Sequence, residues 1–403
     1  MKDMHILLAN VFFAPFTYGG ATIVAEEVAQ ALVHQTGCRV SVVSVTFGQG
    51  LAPYTLTKSE KNGIANYLIH IDQNRSYAEL YDNPQITALF GQLIDQLQPD
   101  VLHAHCLQDI GAGVLQTAKA RGLPVVLSVH DFWWICDRQF MIRVNQRYCG
   151  QDPVRIENCR SCAENFSAAR TRFDYLAAQA AYADVITYPS QFALNLSEAS
   201  GFGPGKGVVW SNGVNMPKAD FKDRQAARRE KDPRLVFGFV GGPSQIKGWP
   251  LIREAFTGLP HSHFAGLVVD GSLDGSWWKG RTLKALSGNW QIHPRFSQSD
   301  MDDFYSKIDV LLFTSQWKET FGLAIREALA RGIRVIQTDS GGTVEHGSIP
   351  AHKLIPIGAP STELRQQIIE VLDEKPTATP SIPVTSFSDQ ARQLSSILND
   401  LVP

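Results

Sequence analysis

The chain has 403 residues, a length that suits two or three domains, with 44% hydrophobic and 19% charged residues. That balance describes an ordinary globular protein. The formal net charge of −2 leaves no electrostatic footprint for nucleic acid, and no apolar run approaches the roughly 18 residues of a membrane-spanning helix. Met1-Lys2-Asp3-Met4-His5 leads straight into an apolar run and does not read as a signal peptide. A cytoplasmic location is expected, with peripheral contact at the inner face of a membrane left open.

The apolar run His5–Asn10 predicts a first strand. An aromatic loop follows, and Gly19-Gly20 opens a helix with apolar positions at Val24, Val28 and Leu32. Glycines at such a turn permit close approach of a phosphate or sugar. Strands are expected at Arg39–Val45, Tyr67–Ile71 and Asp100–Ala104, and a helix over Pro84–Leu97. Pro124–Val129 reads as a buried strand with His130 and Asp131 at its carboxyl end. This alternation argues for a doubly wound parallel sheet, which presents its chemistry at the carboxyl ends of its strands. His103 and His105 share one face of a strand end, as a ligand pair or as buried structural histidines.

Cys136, Cys149, Cys159 and Cys162 are four of only six cysteines. Cys159 and Cys162 have the C-x-x-C spacing of a half-site for a tetrahedral metal. Reducing conditions disfavour disulfides, so the cluster suggests metal binding, with a structural zinc possible, and reduced, unliganded loop cysteines are the plainer reading. The gap between Cys136 and Cys149 departs from a zinc ribbon, which keeps an iron–sulfur cluster as the alternative. Further on, a helix is expected over Phe166–Tyr182, strands at Asp184–Tyr188 and Gly207–Trp210, and a charged, solvated connector over Lys218–Asp232.

A second alternating set begins at Arg234–Val240. Gly241-Gly242-Pro243 turns into Lys247-Gly248 and a helix over Trp249–Phe256. Strands follow at Phe264–Val269 and Trp290–His293, then a short helix over Asp300–Tyr305. Ile308–Phe313, a loop, a helix over Phe321–Ala330 and a strand at Arg334–Gln337 form a βαβ unit. Glu319 would stand just before its helix, where the amides of Phe321, Gly322 and Leu323 and the helix dipole suit a phosphate. Glu327 lies in position to accept hydrogen bonds from a ribose. The plainer reading makes both glutamates solvated residues of an amphipathic helix. Ser361–Leu372, a proline-rich stretch over Lys375–Val384 and an amphipathic helix over Ser386–Leu401 complete the chain.

The run from Glu319 to Ala328 resembles the E-x7-E signature of family 4 retaining glycosyltransferases (glycosyl transferases group 1), and Ser340-Gly341-Gly342-Thr343-Val344-Glu345 resembles that family's next loop. Ser128-Val129-His130-Asp131-Phe132-Trp133 resembles its HD-aromatic loop, which a cysteine cluster follows in a subset of members. The resemblance spans nearly the whole chain. It implies the GT-B fold: two Rossmann-like doubly wound α/β domains facing across a cleft. Residues 1–212 and the helix over 385–403 would form the acceptor-side domain, with a cysteine-rich insertion near 136–162. Residues 213–384 would bind the nucleotide-sugar, and Asn212-Gly213-Val214 would mark the passage between domains.

By that resemblance Gly19 and Gly20 lie under the donor diphosphate, and His130 contacts the donor sugar or diphosphate. Lys247 and the backbone of Thr320, Phe321, Gly322 and Leu323 neutralise the leaving group; Glu319 meets sugar hydroxyls and Glu327 holds the ribose. His130, Glu319 and Lys247 are thus the catalytic set, and no metal is needed for chemistry. The family usually has an arginine where this chain has Gly242, leaving Arg253 or Arg295 as substitutes. Arg295 and Phe296 are also candidates for a base pocket. The implied activity moves a sugar from a UDP- or GDP-linked donor to a glycan, lipid-linked or lipopolysaccharide-type acceptor in surface polysaccharide assembly. A small-metabolite acceptor is the alternative. Rival classes are a GT-B phosphorylase or epimerase, and a weakened scaffold or sensor.

Overall fold

A computed structural model describes residues 4–48, 50–374 and 381–402. The start of the chain and most of the proline-rich stretch after Glu374 lie outside the described residues. The chain divides into two compact units, one of Met1–Met141, Gly150–Gly213 and Thr385–Pro403, the other of Ile142–Cys149 and Val214–Val384. Cys149 therefore groups with the second unit, whereas Cys136, Cys159 and Cys162 belong to the first.

The first unit contains β1 (His5–Ala9), α1 (Gly20–Thr36), β2 (Arg39–Phe47), β3 (Leu56–Lys61), β4 (Ile64–Ile71), α2 (Pro84–Leu97), β5 (Val101–Ala104), α3 (Gly113–Lys119), β6 (Val125–Ser128), α4 (Phe166–Ala180), β7 (Val185–Tyr188), α5 (Gln191–Ala199) and β8 (Gly207–Val209). Its sheet has the order β3-β4-β2-β1-β5-β6-β7-β8, parallel except for β3, which runs antiparallel to β4. β1, β5 and β6 are buried throughout, as strands covered on both faces must be. The order reverses at β1, between β2 and β5, and this switch point opens beyond the ends of β1 and β5. β3 escaped the hydropathy pattern because it is a charged edge strand, the usual protection of a sheet edge.

Helix ends in this unit are closed by the residues that composition leads one to expect. Asn83 accepts from the Ile86 amide at 3.1 Å with Pro84 following it, and Ser190 accepts from the Ala193 amide at 3.1 Å.

The second unit contains α6 (Phe221–Lys231), β9 (Leu235–Phe239), α7 (Trp249–Phe256), β10 (Phe264–Val269), β11 (Asn289–His293), α8 (Met301–Tyr305), β12 (Val310–Phe313), α9 (Leu323–Ala330), β13 (Arg334–Gln337) and α10 (Ser361–Glu374). Its all-parallel sheet has the order β11-β10-β9-β12-β13. Alternation along β9 sends Phe237 and Phe239 to a core shared with α7 and α10, and Val236 to a core shared with α8 and α9. Each buried Phe contributes about 1.5–3 kcal/mol relative to exposure.

The expected connector over Lys218–Asp232 is instead largely helix α6. Phe221 anchors it at 2% exposure. Its arginines are paired rather than solvated: Arg228 and Arg229 reach Asp309 at 2.6 and 2.9 Å, and Arg224 meets Asp303. The expected helix over Phe321–Ala330 begins two residues later, because Gly322 takes a left-handed conformation at its start.

The last helix, α11 (Phe387–Leu401), belongs to the first unit and packs on α1. Ser386 and Asp389 form a reciprocal capping box at its start. Fully buried Gln390 accepts from the Gly213 amide at 2.6 Å and donates to Asn212 Oδ1 at 3.3 Å, while its carbonyl accepts from the Trp210 indole at 3.0 Å.

Candidate active site

The sheet order of the second unit reverses at β9, between β10 and β12. Beyond the carboxyl ends of these strands lie the Gly241–Gly248 turn, the Thr314–Gly322 loop and, after β13, the Ser340–Thr343 loop. This is where a doubly wound sheet presents a ligand site. Most of the residues expected to hold a donor are here.

Lys247 Nζ lies 2.8 Å from Glu319 Oε1, and the Ser315 hydroxyl donates to the same oxygen at 2.5 Å. The ammonium also stands 5.6 Å from the centre of the Trp317 ring, within reach of a cation–π attraction. The Glu319 main chain is held on both sides, its amide bonding to Ser340 O and its carbonyl accepting from Gly342 N, each at 2.9 Å. A side chain fixed this way needs little reorganisation when charge develops nearby.

Lys247 is positioned by its neighbour. Gly248 has φ +80°, and a β-carbon there would fall 2.0 Å from the Thr314 carbonyl oxygen. The Thr314 hydroxyl meanwhile donates to Lys247 O at 3.0 Å. Only glycine admits this crossing of β9 and β12 turns.

α9 points its first turn into this loop cluster, where the leading amides lack intrahelical partners. Arg326, 6% exposed, ties the helix to the neighbouring loops by donating to Thr343 O at 2.8 Å, Gly342 O at 2.9 Å and Phe321 O. Burial pushes its guanidinium down to about 10.

Glu327 accepts from the buried Tyr305 hydroxyl at 2.7 Å. Burial raises its carboxyl above the usual range, opposed by the Tyr305 hydrogen bond and the nearby Arg331 charge. Arg331 itself forms a buried pair with Asp302 at 2.6 Å and donates to Glu327 O at 3.0 Å. Glu327 is therefore half-buried and supported from below, not a solvated helix residue. Arg253 and Arg295 are exposed, and Phe296 stacks on Phe304 at 5.3 Å.

Gly242 has φ +68°, and a β-carbon there would meet the Trp277 ring at 2.7 Å. The place of the usual arginine is thus closed twice, by a backbone conformation that suits glycine and by an indole laid against it.

In the first unit Gly19 and Gly20 are exposed where α1 begins, with Gly19 at φ +84°. His130, at the end of β6, is bonded through Nε2 to His105 Nδ1 at 2.8 Å. Burial lowers His130 to about 4, so it is neutral near pH 7. Asp131 does not face outward: it accepts from the Trp133 amide at 2.8 Å and from Gln139 at 2.6 Å, closing the following turn. Cys136, Cys149, Cys159 and Cys162 are each half-buried. Among the described residues no group of three or more His, Cys, Asp or Glu side chains converges to hold a metal ion.

Sequence reading missed Ser315, Tyr305, Arg326 and Arg331, and it named His105 only with His103, as a ligand pair or buried structural histidines. Arg326 alone left a trace, as a charge beside the apolar stripe of Ile325 and Leu329.

Two Rossmann-like units, with a lysine, two carboxylates and a helix start at the switch point of the second, define a doubly wound α/β class of fold. Residues 18–218 match the model of Glycosyltransferase Family 4, and residues 220–379 match that of Glycosyl transferases group 1. The chain belongs to the family 4 glycosyltransferases with the GT-B fold.

Sucrose-phosphate synthase from Thermosynechococcus elongatus superposes with a TM-score of 0.71 at 16% identity, over 99% of both chains. Anabaena HepE, solved in complex with UDP and glucose, superposes with a TM-score of 0.64 at 17% identity, over 99% of this chain and 100% of its own. In sequence, the chain is 24% identical to an uncharacterized 42.6 kDa protein in the cps region of Klebsiella pneumoniae, over 85% of this chain and 87% of that protein. No helix among the described residues is long and apolar enough to cross a membrane.

Proposed function

We propose that this glycosyltransferase moves a sugar, with retention of configuration, from a nucleotide-diphospho-sugar to a glycan or lipid-linked acceptor in surface polysaccharide assembly. The observation that carries the donor half is the Lys247–Glu319 pair beside the start of α9, at the switch point of the second unit. The complex of HepE with UDP and glucose supports the same reading. The Klebsiella relative from a cps region supports the acceptor class.

In this reading the diphosphate lies on Lys247 and the first amides of α9. Lys247 stabilises charge as the glycosidic bond breaks, by electrostatics rather than proton transfer. Glu319, released from the lysine by the arriving phosphate, accepts from sugar hydroxyls. Glu327 accepts from the ribose through the oxygen that Tyr305 does not occupy. His130 and the Gly19-Gly20 turn serve the donor from the first unit. No step uses a metal.

A thermal-shift panel of nucleotides and nucleotide-sugars tests this directly. A ligand at a hundred times its dissociation constant adds about 2.7 kcal/mol, and a selective shift with one diphosphonucleotide is expected. No shift with any of them would favour a weakened scaffold, with closure of position 242 by Trp277 as the cause.

A further inference from the structure

A cavity of about 480 Å³ lies in the helical layer of the first unit, between α2, α3 and α4. Helical spacing explains its lining. α2 turns Thr87 and Gly91 toward it, α3 turns Gly113 and Thr117, and α4 turns Tyr175 and Gln179, each pair four residues apart. Helices that close on one another carry large apolar side chains at such positions. Here the side chains are mostly small or polar, and the space between the helices stays open.

The polar groups around it are only partly engaged. Gln179 is 6% exposed, and its Nε2 makes a long hydrogen bond, 3.4 Å, to Gln116 Oε1. Among the described residues neither Gln179 Oε1 nor Thr87 Oγ1 has a hydrogen-bonding partner, a state that buried polar atoms rarely keep. Thr87 Oγ1 and the Tyr175 hydroxyl converge over Gly113, each 3.1 Å from where a β-carbon there would stand. The Tyr175 hydroxyl donates to Asp82 at 2.8 Å. Arg121, at the far end, is held by Asp95, donating to it from Nε at 2.7 Å and Nη2 at 3.0 Å. A phosphate would meet the Asp82 carboxylate and no unpaired cation among the described lining residues. A flat apolar ligand would cover hydroxyls and amides without pairing them. A neutral ligand rich in hydroxyls, each able to donate and accept, matches the set, and the volume falls within the roughly 300–1,000 Å³ of small-molecule pockets.

We infer that this cavity is a binding site for a neutral sugar, one or two rings of a glycan, whose hydroxyls donate to Gln179 Oε1 and Asp82 and accept from Thr87 Oγ1. The site lies wholly in the first unit and shares no residue with the Lys247–Glu319 loops of the second. It does not depend on the donor reading, and no group in it is assigned to the reaction. Its role is to hold carbohydrate.

The test is a saturation-transfer NMR titration of the full chain with methyl α-glucoside, methyl α-galactoside, methyl α-mannoside and maltose, with glucose 6-phosphate as the charged comparison. At least one neutral sugar should bind saturably, and glucose 6-phosphate at least tenfold more weakly. Thr87→Val and Gln179→Leu should each weaken that binding about tenfold, the loss of one well-placed hydrogen bond. Ala88→Trp, made at an exposed position of α2 on the cavity rim, should abolish it. No saturable binding by the parent, tighter binding of the phosphorylated sugar, or affinity unchanged in the variants would overturn the assignment. Should Gln179→Leu fail to fold, Thr87→Val and Ala88→Trp still decide. Sugar binding by a chain that no nucleotide stabilises would count against the proposed transfer and leave the cavity site standing; a nucleotide shift without sugar binding would do the reverse.

Discussion

Lys247 and Glu319 neutralise one another across 2.8 Å, although they reach the site from turns that follow two different strands, β9 and β12. The lysine is thereby held extended beside the start of α9 before any ligand arrives. A phosphate would take the place of the carboxylate, and Ser315 would keep Glu319 from swinging away.

Lys247→Ala should therefore lower turnover by about a hundredfold or more, the usual loss when one preorganised group is removed from a developing charge. Glu327→Ala should lower it less. Steady-state kinetics on the donor found by thermal shift would check this, and equal turnover in the Lys247 variant and the parent would remove the lysine from the mechanism.

Glu327→Ala should weaken nucleotide binding by about tenfold, the loss expected for one hydrogen bond to a charged group. Tyr305→Phe should weaken it too, because the carboxylate loses the hydroxyl that orients it. Titration calorimetry with the nucleoside diphosphate measures both. Parent-like affinity in Glu327→Ala would leave the carboxylate without its ribose.

Acidification should destabilise the first unit. Burial holds His103 at about 3 and His130 at about 4, and lowers His105 in the same direction. Their unfolded forms bind protons near 6.5, so between about pH 6.5 and 4 the unfolded chain binds more protons and stability falls as pH falls. Each such histidine contributes about 1.4 kcal/mol per pH unit inside that window. Glu327 has the opposite sign: its raised carboxyl is stabilising when protonated, so its contribution declines as pH rises through that value. Calorimetric melting at a series of pH values should show a net fall toward acid, flattened in His103→Gln.

Gly242→Arg should fail to restore the diphosphate grip usual in the family. The left-handed backbone costs a side chain about 1–2 kcal/mol, and the Trp277 ring occupies the space. A lower melting temperature without tighter nucleotide binding is expected. Adding Trp277→Ala should recover part of the stability by relieving the overlap but not the backbone cost. Tighter binding by the single variant would show that the indole yields.

Asp302→Ala should destabilise the second unit by about 3–5 kcal/mol, since it strands the buried Arg331 charge. The same variant should loosen Glu327, because Arg331 also donates to its carbonyl. A chemical denaturation curve alongside the nucleotide affinity would show both effects.

Periodic elements were legible in the sequence to the residue: Pro84–Leu97, Trp249–Phe256 and Phe264–Val269 stand as read. α6 was not, because its stripe is little more than Phe221 and its charges are satisfied by Asp309, distant in the chain. Motif resemblance brought Lys247, Glu319 and Glu327 forward. It could not bring Tyr305, Arg331 or the His105–His130 bond, which exist only once β5 lies beside β6 and α8 beside α9. At Gly242 a departure in sequence had its physical reason in Trp277, a residue no local pattern connects to it.

The clasp of Gln390 on Asn212 and Gly213 bears on how the chain is made. On the ribosome the first unit emerges early, but α1 waits for α11, and the strand ends near Trp210 wait for Gln390, until the second unit has been synthesised. During that interval an apolar stripe along α1 stays open while the whole second unit is synthesised and folds. Such a delay raises the contact order of the first unit and slows its completion, and it makes the nascent chain a client for chaperones that shield exposed apolar helices.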